Sequence, residues 1–218
     1  MDMCPPACQF CKELERPESF REEICTMWPY DDRIIRSSEA GMLVPGLGPI
    51  IAGMPYVLAI SRRCASSFLA LQPEERDGLF DLIDAFLSTG KLFPSGRILV
   101  FEHGGSNGKP GCQCLEHSHL HVMTDDEPWA SLPKEMSRFY QAYDHCVTRE
   151  TLAPKEPYIF AGFYSGKRRI EGKVAFPKER REPQFFRMLL GEMVGDNLYD
   201  YRLQRHMQTM IFTYEAAI

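Results

Sequence analysis

The sequence lacks the hallmarks of a membrane-bound or secreted protein. It has no apolar run long enough to span a bilayer, and its first residues do not form a charged-then-apolar secretory leader. It also lacks an excess of basic residues, since 25 Lys and Arg face 30 Asp and Glu and the formal net charge is −5. We therefore expect a cytoplasmic protein that binds neither nucleic acid nor anionic membranes. The local basic clusters at 167–169 and 178–181 are interpreted as solvated loops.

No internal repeat or low-complexity tract interrupts the 218 residues, 44% of which are hydrophobic. That content is ample for the core of one large domain, or of one domain with an extension. Strand patterns alternate with mixed helical patterns, which predicts an α+β fold in which helices pack on an antiparallel sheet. We place a first domain at residues 1–150 and a C-terminal α/β extension, packing on it, at residues 151–218.

Hydrophobic periodicity predicts the individual elements. The clearest helix begins at Pro73, presents an apolar face from Leu79 to Leu87 and ends near Gly90. Another helix is predicted to begin near Pro133, with apolar positions that continue to Val147. The predicted strands are 33–36, 41–44, 56–60, 97–101, 117–122, 158–163 and 170–176. The last predicted helices are 183–194 and 204–216.

Three histidines stand at two-residue spacing in His117-Ser118-His119-Leu120-His121. In an extended strand they project from one face, with neighbours about 6–7 Å apart. Neutral imidazole can act near pH 7 as base, nucleophile or metal ligand. Three interpretations are open: hydrogen-bonded structural histidines, a metal-binding strand, or catalysis at phosphorus. The glycine-rich segment 104–111 favours catalysis, because glycine lets backbone N–H groups approach phosphate oxygens closely.

The eight cysteines, in a chain without a leader, are typical of reduced thiols, some of them on a metal. Cys8 and Cys11 form a C-x₂-C pair that supplies two of the four ligands of a tetrahedral zinc ion. Cys64 and His117 are candidates for the other two, and Cys4 could compete. A redox dithiol and a pair of inert thiols are the alternatives for the Cys8–Cys11 pair.

Together these motifs resemble the histidine-triad superfamily of nucleotide hydrolases and transferases. The histidine motif is followed by apolar residues as in that family, and the Cys8–Cys11 pair is similar to the zinc knuckle of many members. The segment 53–64 is similar to the family's Gly-His, strand and basic-His segment, whose closing histidine binds zinc. Cys64 stands at that last position here, and thiolate also binds Zn²⁺ well. The segment 183–190 is similar to the end of a few branches, so that the resemblance covers about three-quarters of the chain.

The resemblance implies a histidine-triad fold, a structural zinc ion and roles for individual residues. His119 matches the nucleophile that attacks the α-phosphorus and forms a covalent nucleotidyl-histidine. His121 matches the residue that holds phosphate charge or manages the proton of the leaving group. The implied zinc ligands are Cys8, Cys11, Cys64 and His117. The implied substrate-binding residues are Glu102, His103, Gln113 and Cys114.

We therefore expect a histidine-triad nucleotide hydrolase or nucleotidyltransferase that acts on a nucleotide or nucleotide conjugate. Many members of the family form homodimers, and the resemblance implies the same here. Two alternatives are open: a nucleotide-binding module without turnover, and a zinc-dependent structural protein. Residues 42–54 align with the family's base pocket, where Met42, Val44 and Leu47 line the pocket or belong to the core.

Overall fold

The computed structural model describes residues 8–48, 53–93, 97–105, 117–124, 131–177, 185–195 and 206–218. Eight strands in these residues form one antiparallel sheet. The strands are β1 (Arg36–Ser38), β2 (Gly41–Pro45), β3 (Tyr56–Ser61), β4 (Ile98–Gly104), β5 (His119–Thr124), β6 (Ala142–Val147), β7 (Tyr158–Tyr164) and β8 (Ile170–Ala175). The α-helices are α1 (Gln9–Glu15), α2 (Pro73–Leu87), α3 (Leu132–Phe139), α4 (Phe185–Val194) and α5 (Met207–Ala217). A π-helical turn, Phe20–Ile24, and a 3₁₀ turn, Phe68–Ala70, complete the helical segments.

The strand that carries the histidines lies in the middle of the sheet, whose order is β1-β2-β3-β5-β4-β7-β8-β6. Strand β5 pairs with β3 on one side, so that Ile60 faces His119 and Leu58 faces His121. It pairs with β4 on the other side, where Phe101 faces His121. A central strand of this kind is held by backbone hydrogen bonds along both edges, which fixes the positions of its side chains.

Both faces of the sheet are covered by helices, and the side chains of each strand alternate between two cores. One core packs α2 against Val57, Val100, Leu120 and Val122. The other core contains residues of α1, α3 and α4 together with Leu58, Ile60, Phe101 and Met123. Since Leu120 and Val122 point into the first core, His119 and His121, which alternate with them, point to the second face, which we call the histidine face.

Helix α2 starts and ends where the sequence predicts. Pro73 occupies the first turn, where its missing N–H costs nothing, and the backbone N–H of Gln72 donates to the Glu75 carboxylate at 2.7 Å. Gly90 follows the helix with a φ of 63°, a conformation that favours glycine. The apolar face from Leu79 to Phe86 is buried against the sheet.

The α+β class is confirmed, and three predicted elements need correction. The strand predicted over 117–122 is His119–Thr124, and His117 lies in a bend just before it. The helix predicted from Pro133 to Val147 ends at Phe139, and Ala142–Val147 is an edge strand paired with β8. Tyr143 and Val147 are four residues apart, a spacing that fits both a helical stripe and alternate positions of a strand. The first strand is Arg36–Ser38 rather than 33–36, because Arg33 leaves the sheet to form a buried ion pair with Glu13.

The sheet continues across the predicted domain boundary near residue 150. Strand β7, from the predicted extension, pairs with β4 along seven residues, and β8 then joins β7 to β6. Residues 158–175 are therefore part of the central sheet, and the assignment of separate roles to 1–150 and 151–218 stays a prediction. No helix among the described residues is both long and apolar enough to cross a membrane.

Candidate functional site

Four potential metal ligands from distant parts of the chain meet beside the start of β5. The sulfur atoms of Cys8, Cys11 and Cys64 and a ring nitrogen of His117 all lie within 4.8 Å of one another. His117 Nδ1 is 3.2 Å from Cys8 Sγ and 3.5 Å from Cys11 Sγ. In a tetrahedral zinc site the ligand atoms are separated by about 3.5–3.8 Å, given the usual Zn–S and Zn–N bond lengths. The four residues therefore form a site that could hold a metal ion.

A backbone contact orients the imidazole of this cluster. His117 is fully buried, and its Nε2–H donates to the carbonyl oxygen of Ser61 at 2.7 Å. A carbonyl only accepts, so this bond places the ring proton on Nε2 and leaves the Nδ1 lone pair directed at the sulfurs. Burial also lowers the pKa of His117, which favours the neutral form that binds metals.

The redox state of the cysteines decides whether the cluster is complete. Cys8 and Cys11 are free thiols, whereas Cys64 is disulfide-bonded in this structure. Only a thiolate is an effective ligand, so Cys64 completes the site in its reduced form. Burial, followed by the hydrogen bond and the charge of Cys8, raises the pKa of Cys11 to about 12. A divalent cation would reverse that preference, because a coordinating thiol is deprotonated outright.

The second histidine of the triad is held by the backbone of the first. His119 Nδ1–H donates to the carbonyl oxygen of His117 at 2.7 Å. The ring is half-buried, and burial lowers the pKa of His119 to about 4, so the imidazole is neutral near pH 7. With its proton on Nδ1, the ring has its lone pair on Nε2, which is the form that a nucleophilic histidine requires.

The third histidine lies between two aromatic rings. His121 stacks on Phe101 with ring centroids 4.2 Å apart and an angle of 7° between the planes. On its other side the hydroxyl of Tyr56 forms a hydrogen bond with His121 Nδ1. Burial, followed by the neighbouring charges of His119, His103 and Arg187, holds the pKa of His121 well below its usual value. This imidazole is therefore also neutral near pH 7.

One phenylalanine connects the metal cluster to the triad. Phe10 lies in α1, between the two cysteines of the C-x₂-C pair, and is 3% exposed. Its ring makes edge contacts with His117 and His119, with centroids 5.7 Å and 5.2 Å apart. A metal ion that fixes the cysteines would therefore also fix the apolar wall against which His119 packs.

Two basic side chains, His103 of β4 and Arg187 of α4, also lie on the histidine face. His103 is 8% exposed and stacks on Phe186 at 4.8 Å, while Arg187 is 5% exposed. The guanidinium of Arg187 donates to the carbonyl oxygen of Gly48, and its central carbon lies 5.8 Å from the Tyr56 ring centroid. His119, His103 and Arg187 each act electrostatically on His121, and the four side chains form a basic, donor-rich face.

Glu102 lies on the opposite face of the sheet. Its carboxyl group accepts from the backbone N–H of Phe68 at 2.5 Å and from the Tyr158 hydroxyl. Adjacent residues of a strand point to opposite faces, so Glu102 and His103 cannot both face the triad. We therefore remove Glu102 from the candidate substrate-binding residues and retain His103.

The other sequence candidates divide into three groups. Gln113 and Cys114 lie outside the described residues. Met42 and Val44 are fully buried in the core on the histidine face, while Leu47 packs against the aromatic cluster around Trp28. None of these three observations defines a base pocket.

Sequence reasoning did not assign roles to Tyr56, Phe10 or Arg187. Tyr56 opens a strand pattern, Phe10 stands inside the C-x₂-C pair, and Arg187 belongs to the segment 183–190 that resembles the ends of some histidine-triad proteins. In the sequence, the signal for these three residues was their position next to motifs. That signal was not sufficient, because the register of β3 and the placement of α4 decide which side chains point to the histidines.

No protein-family model matches the chain, and no curated protein matches it. A comparison with solved structures finds a DUF4931 family protein from Bacillus cereus at a TM-score of 0.44 and 12% sequence identity. The match covers 82% of this chain and 98% of that protein.

Proposed function

We propose that the protein is a histidine-triad nucleotide hydrolase or nucleotidyltransferase that works through a covalent nucleotidyl-histidine. The observation that carries this proposal is the hydrogen bond from His119 Nδ1–H to the carbonyl oxygen of His117. It leaves a neutral, half-buried imidazole with its lone pair on Nε2, beside two further histidines. Covalent catalysis at phosphorus requires a histidine whose Nε2 carries a lone pair, and this bond provides one.

The proposed reaction has two displacements at the α-phosphorus. In the first, the Nε2 lone pair of His119 forms a bond to phosphorus, and the bond from phosphorus to the leaving group breaks with its electron pair. In the second, water or another acceptor forms a bond to phosphorus, loses a proton, and the phosphorus–nitrogen bond returns its electron pair to Nε2. Water makes the protein a hydrolase, and a phosphate or sugar-phosphate acceptor makes it a transferase. Residues outside the motif decide between these acceptors.

The basic groups on the histidine face support an anionic substrate. His103 and Arg187 lie beside His121, and the described residues that affect the pKa of His121 are all basic. Buried donors of this kind stabilise negative charge on phosphoryl oxygens better than donors in water do. The proposed substrate is accordingly a nucleoside monophosphate joined through phosphorus to a second phosphate, a sugar phosphate or an amine.

We propose zinc as the metal of the cluster because three sulfurs and one imidazole are a typical structural zinc set. Cys8, Cys11, Cys64 and His117 would hold the ion and anchor the beginning of β5. The ion would supply structural stability rather than Lewis-acid chemistry, since all four positions are taken by the protein. A cytoplasmic location and a homodimer that binds no nucleic acid belong to the same proposal.

Trapping the covalent intermediate tests the proposal. The reduced, metal-loaded protein is mixed briefly with a panel of nucleotides, dinucleoside polyphosphates, nucleotide sugars and nucleoside phosphoramidates. The reaction is quenched at alkaline pH, because phosphoramidates are acid-labile, and intact mass is measured. We expect a nucleotidyl adduct on the wild type and on His145→Ala, a control histidine on the edge strand β6, but none on folded His119→Ala.

Two results would contradict the proposal. Turnover that persists in His119→Ala would remove the nucleophile assignment. Tight nucleotide binding by calorimetry, with neither adduct nor product for any member of the panel, would support a binding module without turnover instead.

A further inference from the structure

Tyr56 and His121 are diagonal neighbours on the histidine face. In the pairing of β3 with β5, His121 faces Leu58, and Tyr56 lies two residues away on the same side of β3. The hydroxyl of Tyr56 is hydrogen-bonded to His121 Nδ1, and the planes of the two rings differ by 12° with centroids 5.8 Å apart. The rings are therefore nearly parallel, and the hydroxyl meets the ring nitrogen whose protonation state decides the tautomer of His121.

We infer that Tyr56 is a positioning residue that fixes the tautomer of His121, so that His121 Nε2–H is the proton donor to the leaving group. This inference rests on the proposed function, and it adds a residue that determines which leaving groups the site can expel. The role differs from that of a phosphate ligand, because Tyr56 acts through His121.

The direction of the Tyr56–His121 bond follows from the chemistry of its two partners. A neutral imidazole nitrogen is a stronger acceptor than a phenol oxygen, and a phenol O–H is a stronger donor than an imidazole N–H. Burial among basic neighbours keeps His121 neutral, so one ring nitrogen must carry a lone pair. The guanidinium of Arg187, 5.8 Å from the centroid of the Tyr56 ring, makes the phenol a better donor still. The hydroxyl accordingly donates to Nδ1, and the proton of His121 is on Nε2.

The two catalytic histidines are then held in complementary tautomers. His119 has its proton on Nδ1, fixed by the carbonyl oxygen of His117, and its lone pair on Nε2. His121 has its lone pair on Nδ1, fixed by Tyr56, and its proton on Nε2. As the bond from phosphorus to the leaving group breaks, the Nε2 proton of His121 moves to the departing atom. This proton transfer needs no prior change of tautomer and leaves His121 as an imidazolate, which the Tyr56 O–H on Nδ1 and the neighbouring charge of Arg187 stabilise. In the second displacement the incoming water returns a proton to Nε2, and His121 is neutral again.

Substrates with different leaving groups test this inference. Two derivatives of the nucleotide that labels His119 are compared: a p-nitrophenyl ester, whose leaving group departs without a proton, and an alkylamine phosphoramidate, whose leaving group needs one. We expect Tyr56→Phe to lower kcat for the phosphoramidate about 100-fold, in the usual range of general acid catalysis, and kcat for the ester less than about threefold. KM for both should change little.

A matched control separates positioning from packing. Tyr164→Phe removes a buried hydroxyl from the opposite face of the sheet and should leave both rates near those of the wild type. Equal losses of kcat on the two substrates in folded Tyr56→Phe would show that Tyr56 only supports the structure and would overturn the inference. Unchanged rates on both substrates would overturn it as well.

The tautomer of His121 can also be measured directly, in an experiment that needs no substrate. In ¹⁵N NMR of the imidazole rings of the reduced, metal-loaded wild type, we expect a bare Nδ1 and a protonated Nε2 for His121. Tyr56→Phe should give a mixture of the two tautomers, while the signals of His119 stay in place. A proton on Nδ1 of His121 in the wild type would overturn the inference, whatever the substrate proves to be. Absence of an adduct in the trapping experiment would contradict the proposed function and leave this spectroscopic test intact.

Discussion

The hydroxyl of Tyr158 on β7 donates to the buried carboxyl group of Glu102 on the neighbouring strand β4. The backbone N–H of Phe68 donates to the other carboxyl oxygen at 2.5 Å. Burial raises the pKa of Glu102 to about 7, although both hydrogen bonds act to lower it. The folded protein therefore keeps this group protonated at a pH where the unfolded chain has already ionised it.

The first prediction is a loss of stability above pH 5 that Glu102 alone causes. Its contribution is fully present below the unfolded pKa of about 4.5, falls as pH rises and is lost above about pH 7. The difference between the folded and unfolded pKa of Glu102 corresponds to about 3 kcal/mol in the free energy of unfolding. Glu102→Gln cannot ionise and retains an acceptor for Phe68 N–H. Urea unfolding from pH 4 to 8 should show the variant gaining stability relative to the wild type as pH rises.

Tyr158→Phe provides the companion variant for this prediction. It removes one hydrogen bond that favours the carboxylate, so the pH dependence caused by Glu102 should persist or increase. A stability difference between Glu102→Gln and the wild type that stays constant from pH 4 to 8 would show that folding leaves the pKa of Glu102 unchanged.

The second prediction concerns the buried ion pair of Glu13 and Arg33. The guanidinium donates to both carboxylate oxygens, at 2.6 and 2.8 Å, and the two side chains are 0% and 2% exposed. Arg33 also donates to the carbonyl oxygen of Pro45 at 2.7 Å, and so connects α1 to β2. Glu13→Gln leaves the cation without its partner, and we expect a loss of about 3–5 kcal/mol in the free energy of unfolding.

Glu23→Gln is the matched control for the ion pair. Glu23 bonds Lys12 at 2.8 Å in an exposed salt bridge, and such bridges contribute little because water screens them. Chemical denaturation of the two variants side by side measures the difference. If Glu13→Gln and Glu23→Gln were equally stable, water would screen the Glu13–Arg33 pair as it screens an exposed salt bridge.

The histidine face could be predicted because its pattern is local. A two-residue period places His117, His119 and His121 on one side of any extended strand. The structure confirms this for His119 and His121, which lie on β5, whereas His117 lies in a bend just before the strand and belongs to the metal cluster. The cysteine pair and its two distant partners could also be proposed, since zinc geometry demands four ligands. The orientation of Glu102 could not be predicted from the sequence, because a shift of one residue in the register of β4 exchanges the faces of Glu102 and His103. The partner of His121 depends in the same way on the register of β3.

Strand β6 shows a second reason why the sequence alone does not predict every element. Met136, Tyr143 and Val147 fit a helical stripe as well as separate elements, and only the pairing of β6 with β8 decides between them. That pairing joins residues about 30 positions apart, so no local window contains it. The buried pair of Glu13 and Arg33 likewise depends on contacts that a single stretch of sequence does not reveal.

The third prediction comes from two glycines that face each other across β7 and β8. Gly162 pairs with Gly172, and a Cβ atom at 172 would lie 2.1 Å from the carbonyl oxygen of Ala161 and 2.3 Å from Gly162 Cα. These are backbone atoms that cannot move without separating the strands. We expect Gly172→Ala to lower the free energy of unfolding by about 2 kcal/mol or more. Thermal and urea unfolding measure it.

Glu171→Ala, one residue earlier on the same strand, tests whether the effect is steric. It removes an exposed ion pair with Arg169 and should change stability little. If Gly172→Ala were as stable as Glu171→Ala, the strands would be further apart than the structure shows.

The fourth prediction is that the reduced protein binds one zinc ion and loses stability when the ion is removed. With free zinc at about 1,000 times its dissociation constant, binding contributes about 4 kcal/mol. For a chain of this size that corresponds to a fall in Tm of about 10 °C when a chelator removes the metal. Cys11→Ser should lose most of the bound zinc by elemental analysis, because three ligands hold the ion less well than four. Cys146→Ser changes another free, half-buried thiol, on the edge strand β6, and should bind zinc as the wild type does.

Oxidation provides an independent test of the same site. Because Cys64 is disulfide-bonded in the structure, a reductant should be needed before the metal binds, and protein kept oxidised should take up little zinc. Chelation should also broaden the NMR signals of His119, since Phe10 contacts both His117 and His119. A reduced protein that keeps its Tm and its His119 signals after complete removal of zinc would show that the four residues are held by packing alone and that the ion has no structural role.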